Sequence, residues 1–433
     1  MVYDEAVKKI NSLLKFGVKP GLKNIKKLLS YMGSPQKKLK FIHVAGTNGK
    51  GSICSLTSSI LSNSGYKTGL FLSPYVIDFR ERIQFNGNMI SKDELVLMLK
   101  KVLPFVESMH NNGKFITEFE LITAIAFEYF LYKCCDVVVL EVGLGGRFDA
   151  TNVIEESIAT IIGSISMEHT QILGDTIEKI ALEKCGIIKD KGNTIIYPNQ
   201  EDCVYNIIYK TCREKSNNII IPTIDDIKIL DMSILGTKFN YKGLTLHLPL
   251  LGEHQIKNTL VVLSTIDVLK KQSFYISNDD IIRGISKVQH PARMEVLSQN
   301  PLILLDGAHN VDGMKSLSIA IEYYLKRKNI IGIMGMLKDK DIKNSIREVV
   351  PLFNHLFTVT PNNMRALSSN KLAVEAQNLC VNILSCMRCE EALKNAIKLC
   401  DENSAIVICG SLYLASEIRP IIKNFFTYKT HKL

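Results

Sequence analysis

A chain of 433 residues with 46% hydrophobic and 22% charged positions has apolar surface enough for two packed cores, which excludes a largely disordered protein. Its formal net charge of +10 comes from lysines spread along the sequence, with no aromatic-basic cluster of the kind that grips nucleic acid. The eleven cysteines cannot all pair and are irregularly spaced, so a reducing compartment is expected, and no run approaches the ~18 apolar residues needed to span a bilayer.

The opening stretch MVYDEAVKKINSLLKF is charged throughout, and the expectation is a cytoplasmic protein with no membrane and no nucleic-acid partner. The positive balance reads first as a generally basic surface, and alternatively as favouring small anionic substrates such as nucleotides and polycarboxylates. KFIHVAG (40–46) reads as a short buried strand, KGSICSLTSSILSNSGY (50–66) as the helix it feeds, and KTGLFLSP (67–74) as the next strand. CDVVVLEVG (135–143) and SIATIIGS (157–164) repeat the continuous apolar signature of parallel strands.

Near SQNPLILLDGAHN (298–310) the rhythm restarts: a strand from Leu302 to Leu305, a helix through MKSLSIAIEYYLK, the strand NIIGIMGM, and later SAIVICGS before a final helix. Polar residues and a proline at Ser298 to Pro301 interrupt the periodicity, which divides the chain into domains 1–297 and 298–433. The fold class implied is α/β: a P-loop-containing, doubly wound, mostly parallel sheet domain, followed by a smaller Rossmann-like α/β domain. Cys386 and Cys389 form a lone CxxC without the further ligands a structural zinc requires, so no metal role is assigned to it.

HVAGTNGKGS (43–52) lies between the first strand and its helix. Gly46, Gly49 and Gly51 let successive N–H groups point inward, and the following helix adds its positive end to the same place. Phosphate is the natural occupant, with Lys50 as a point charge on it. The pattern departs from the usual phosphate loop at Val44, where a glycine is expected, and at Gly51, where a hydroxyl usually holds magnesium. Taken alone, the lesser alternative is a glycine turn with no nucleotide role, which the strand before it and the helix after it count against. Glu141 ends an apolar strand, where a nucleotide hydrolase presents a carboxylate to magnesium, and His169 lies just beyond another strand end.

Together these stretches resemble the folylpolyglutamate synthase and dihydrofolate synthase family, a branch of the Mur ligase superfamily. The resemblance runs through KFGVKPGL (15–22), HVAGTNGKGS, LSP (72–74), TEFE (117–120), EVGLGGRFDATN (141–152), EKCGIIK (183–189), HQIKN (254–258), DGAHN (306–310), GMLKDKD (335–341) and GSLY (410–413). It implies ATP as co-substrate, held by Gly46, Thr47, Asn48, Gly49, Lys50, Gly51 and Ser52 together with Asn258, Arg293 and Asp306. It implies two magnesium ions held by Ser73, Glu141, His169 and a carbamylated Lys184, so that the hydroxyl missing at Gly51 is supplied by Ser73. A carbamate requires a neutral amine, which implies a desolvated lysine.

The same resemblance places the folate or dihydropteroate against Thr117, Glu118, Phe119 and Glu120 and against Phe148, Asp149 and Ala150. It sets His309 and Ser411 on the incoming L-glutamate and makes Lys50, Lys184 and His309 the catalytic group. The chemistry implied is an acyl phosphate made from a substrate carboxylate and ATP, then displacement of phosphate by the amine of glutamate. The second domain is expected to close over the nucleotide, and the protein is expected to be a monomer. Four positions depart from the family pattern: Tyr75 for histidine, Glu168 for aspartate, Ala292 for glycine and Val311 for proline. A Mur-type cell-wall amino-acid ligase is the alternative within the superfamily, and a P-loop phosphotransferase the alternative outside it.

Overall fold

The computed structural model describes residues 1–17 and 21–430, so positions 18–20 of the 15–22 stretch lie outside the described residues. Two compact units divide the chain: one holds 1–228, 239–247 and 256–288, the other 229–238, 248–255 and 289–433.

The first unit is built on an eight-stranded sheet. Its strands are β1 (Phe41–Ala45), β2 (Thr68–Phe71), β3 (Ile83–Phe85), β4 (Asn88–Met89), β5 (Val137–Glu141), β6 (Ala159–Ile162), β7 (Asn193–Ile196) and β8 (Asn218–Ile220). Their order is β4-β3-β2-β5-β1-β6-β7-β8. The pairs from β2 across to β8 are parallel, and the β2/β3 and β3/β4 pairs at one edge are antiparallel. Every residue of β1 and β5 is buried, which is why both read as unbroken apolar runs. The helix Lys50–Asn63 packs against Asn278–Ser286, where a Cβ on Gly284 would lie 2.5 Å from Ile60 Cα. The helices Tyr3–Asn11, Lys23–Tyr31, Lys92–Asn111 and Glu118–Tyr132 contribute to one large apolar cluster, and Ile177–Cys185 with Asp202–Glu214 to another.

A three-stranded sheet follows, in the order β11-β10-β9, from β9 (Ile227–Ser233), β10 (Gly236–Tyr241) and β11 (Leu244–Leu248). The second unit holds a six-stranded sheet of β12 (Glu295–Gln299), β13 (Leu302–Leu305), β14 (Asn329–Met334), β15 (His355–Thr358), β16 (Ile383–Ser385) and β17 (Ser404–Cys409). The order is β12-β13-β17-β14-β15-β16, parallel except for the β12/β13 pair.

The expected α/β class and mostly parallel sheets are therefore observed. Ser298 to Pro301 spans the end of β12 and the turn into β13, and the last change of unit along the chain falls after Val288. Polar residues and proline mark a tight turn as readily as a linker, and β12 is too polar to announce itself as a strand.

Candidate functional site

In the first unit, the loops leaving the C-terminal ends of β1, β2, β5 and β6 carry the residues singled out by sequence, the edge at which open α/β sheets bind ligands. Gly49 adopts φ 80°, and a Cβ there would meet Asn258 Oδ1 at 2.5 Å, so the loop and Asn258 touch. Thr47 ties the loop to the exit of β6: its N–H donates to Ser164 O at 2.7 Å and its hydroxyl to Ser166 O at 3.1 Å, while Ser166 N–H donates back to Thr47 Oγ1 at 3.1 Å. The helix begins at Lys50, whose ammonium turns back to Gly46 O at 2.9 Å and Thr47 O at 3.0 Å.

Lys184 comes to the same carbonyl. It lies in the last turn of Ile177–Cys185, is 4% exposed, and donates from Nζ to Gly46 O at 2.8 Å. It is therefore no surface lysine. Burial first, and then the charge of Lys50, lower it to about 7, with Glu168 and Asp149 acting in the opposite direction.

Ser73 and Glu141 are brought together: Glu141 is buried at the end of β5, and its Oε2 accepts Ser73 N–H at 3.0 Å. His169 stands at φ 51° at the start of the short helix Thr170–Leu173, with Nε2 3.5 Å from Glu168 Oε1. Among the described residues, no three His, Cys, Asp or Glu side chains form a ready-made metal cluster.

The acceptor-side residues divide by what their side chains already do. Thr117 and Glu120 form a capping box, with Thr117 N–H and Oγ1–H donating to Glu120 Oε2 at 2.8 and 2.9 Å, so both fix the start of the helix Glu118–Tyr132. Glu118 is buried and paired with Arg82 at 2.5 Å. The Phe119 ring lies over Gly143, where a Cβ would meet its Cζ at 2.5 Å. Phe148 is half exposed, Ala150 buried, and Asp149 buried with its carboxylate accepting Leu144 N–H and Thr151 N–H, each at 2.9 Å. Burial raises Asp149 above the usual carboxylate range, against those hydrogen bonds.

In the second unit, Asp306 follows β13. Its oxygens accept Met294 N–H and Ala308 N–H, each at 2.7 Å, and its pKa is raised by burial against the opposing charge of Arg293. Ala292 and Met294, on either side of Arg293, adopt φ 56° and 45°. An L-residue in that region costs about 1–2 kcal/mol. His309 Nδ1 sits 2.8 Å from Gly307 O; a carbonyl only accepts, so Nδ1 carries the hydrogen. Ser411 is buried and accepts Leu414 N–H at 3.1 Å, capping the helix Leu412–Thr430.

Sequence reasoning missed two polar networks beneath the first unit's site. His43 Nε2 lies 2.9 Å from Thr151 Oγ1, and the Thr151 hydroxyl donates to Asp149 at 2.5 Å, so His43 Nε2 must be the donor to Thr151. Burial and then Lys189 hold that imidazole far below its usual range, so it is neutral. The second network joins Asn152 and Lys189. In both, the partners are far apart in sequence, and no spacing signals them.

Residues 44–266 match the Mur ligase middle domain, and residues 292–412 match the Mur ligase glutamate ligase domain. The chain is 34% identical to a dihydrofolate synthase/folylpolyglutamate synthase of Bacillus subtilis, over 97% of this chain and 99% of that protein. It is 33% identical to a folylpolyglutamate synthase of Lacticaseibacillus casei, over 97% and 98%. Its fold is similar to the Mycobacterium tuberculosis folylpolyglutamate synthase complexed with ADP and AMPPCP, with TM-score 0.88, 27% identity and coverage of 97% and 99%. It is also similar to the folylpolyglutamate synthase of Thermotoga maritima, with TM-score 0.85, 31% identity and coverage of 98% and 97%. Among the described residues, no helix is long and apolar enough to cross a membrane.

Proposed function

Because the chain belongs to the folylpolyglutamate synthase/dihydrofolate synthase family of Mur ligases, ATP-dependent ligases that join glutamate to folate, we propose the following division of that work among its residues. Gly46 to Ser52 cradle the ATP phosphates, and Lys50 leaves its loop carbonyls to meet the β- and γ-phosphates. Asn258, Arg293 and Asp306 bind the rest of the nucleotide.

Ser73, Glu141 and His169 hold magnesium, a hard cation that takes one or two carboxylates and completes its shell with hydroxyl, water and phosphate oxygens. The buried Glu141 carboxylate beside Ser73 fits that role. When bound, magnesium neutralises charge on the transferred phosphoryl group. Lys184, as a carbamate, serves a second ion. The observation that supports this is its near-neutral amine on the phosphate loop.

The acceptor lies against Phe119 and the turn Phe148–Ala150. Its carboxylate attacks the γ-phosphorus, forming an acyl phosphate as ADP leaves. The amine of glutamate, placed by His309 and Ser411, then attacks the acyl carbon and expels phosphate. Holding the reactants in register accounts for much of the rate. The protein acts as a monomer in the cytoplasm, extends reduced folates, and also accepts dihydropteroate, as the name of its Bacillus subtilis relative covers both activities.

The test is glutamate-dependent ADP release, with tetrahydrofolate, dihydropteroate and a UDP-muramoyl substrate in parallel. Release is expected with both pterins, absent without glutamate, and reduced at least about 100-fold by Lys50→Ala. Release with the muramoyl substrate, or release indifferent to glutamate, would overturn the reading.

A further inference from the structure

Asn152 and Lys189 have no part in the chemistry above, yet they join its two most distinctive segments. Asn152 Nδ2 donates to Arg147 O at 3.0 Å and to Gly186 O at 3.0 Å, and its Oδ1 accepts Lys189 Nζ at 2.7 Å. The orientation of the amide is fixed by chemistry, since carbonyls only accept and an ammonium only donates. Lys189 also donates to Ile154 O at 2.7 Å. Arg147 immediately precedes Phe148, and Gly186 immediately follows the helix that carries Lys184.

The two segments are also flush against each other. Arg147 N–H donates to Glu183 O at 2.8 Å, and a Cβ on Gly186 would lie 2.4 Å from Arg147 Cα. The Arg147–Glu183 hydrogen bond ties the turn to the helix end at one point. One amide bonded to both carbonyls, and itself held by a half-buried ammonium, adds a second tie that fixes their register.

We propose that Asn152, oriented by Lys189, is a positioning residue that locks the acceptor turn to the end of the Lys184 helix. The proposal rests on the reading that Phe148 to Ala150 border the folate substrate. The acceptor carboxylate must arrive in line with the phosphate beside Lys184, and a misplacement of about 1 Å costs up to about 100-fold in such a reaction. Replacing Asn152 by aspartate keeps its size but sets an oxygen against two carbonyl oxygens.

The experiment is steady-state kinetics of the full-length wild type, Asn152→Asp, Asn152→Ala, Lys189→Met and the double variant Asn152→Ala/Lys189→Met, with a melting temperature for each. Expected is a rise of roughly tenfold or more in kcat-normalised KM for tetrahydrofolate, with KM for ATP within about twofold of wild type. The Asn152→Ala and Lys189→Met effects should be less than additive, because both act through one contact. Parallel rises in both KM values, additive effects, or a lowered melting temperature with unchanged acceptor KM would each overturn the coupling. A wild type that releases no ADP with any pterin would instead overturn the underlying reading, so the two failures are distinguishable.

Discussion

Two ammonium groups meet at one carbonyl, that of Gly46, and only one of them is buried. An ordinary lysine with pKa ~10.4 is neutral less than about once in a thousand at pH 7. Lys184, lowered to about 7, is roughly half neutral there, which is the form that reacts with carbon dioxide. The same shift has a sign for stability. Between about 7 and ~10.4 the unfolded chain binds more protons at this site than the folded one, so stability rises with pH through that window, and the penalty of burial is fully present below it. Lys184→Met should therefore melt higher than wild type at pH 6, with the margin shrinking by pH 9, while ligase activity falls at least about 100-fold. Thermal melts at the two pH values check this, and parallel curves would sink it. The positions of Lys50 at a helix start and Glu141 at a strand end could be read from short local motifs, whereas Ser73 came from the family resemblance. The hydrogen bond from His43 to Thr151 spans 108 positions and that from Lys189 to Asn152 spans 37, and no local pattern records either.

At the scale of elements, burial decided what could be read. β1, β5, β6, β13, β14 and β17 are covered on both faces and appear as apolar runs. The strands β4 and β12 at sheet edges and β3 next to one are short or half exposed, and nothing in IQF, NM or EVLSQ distinguishes them from loop. The glycines of GLGG could be seen as close approaches, but not what they approach. The structure supplies it: a Cβ on Gly146 would lie 2.6 Å from Glu183 O, and Gly186 meets Arg147 in the same way. Since both contacts are with backbone, no side-chain rotation relieves them. Gly186→Ala should cost about 1–3 kcal/mol of stability and raise the acceptor KM, by denaturant melts and kinetics. Gly65→Ala, on a helix end with φ 87° and open space around it, should lower stability while leaving that KM unchanged. An equal KM effect from both would show that general loosening, and not the seating of the turn, is responsible.

At the scale of the molecule, each unit carries an apolar cluster of its own. Ile25, Phe71, Val138 and Phe127 belong to one cluster and Leu304, Met334, Val349 and Val407 to another, each confined to its own unit. A chain with separate cores departs from all-or-none unfolding when one core is weaker or is stabilised selectively. The phosphate loop, Asn258, Ser73 and Glu141 all fall in the first unit. Calorimetry should therefore resolve two transitions. Magnesium and ADP at about 100 times the dissociation constant should stabilise the transition belonging to the first unit, which carries the phosphate loop, by about 2.7 kcal/mol, since a ligand adds RT ln(1 + [L]/Kd) to whatever binds it, and should raise the second by a smaller amount through the proposed contacts of Arg293 and Asp306. Lys50→Ala should abolish that shift and leave both transitions in place, because the Lys50 ammonium is bonded to carbonyls of its own loop and belongs to neither apolar cluster. A single transition that moves as a whole with ADP would mean that the two cores unfold as one, and that the chain's division into units has no thermodynamic counterpart.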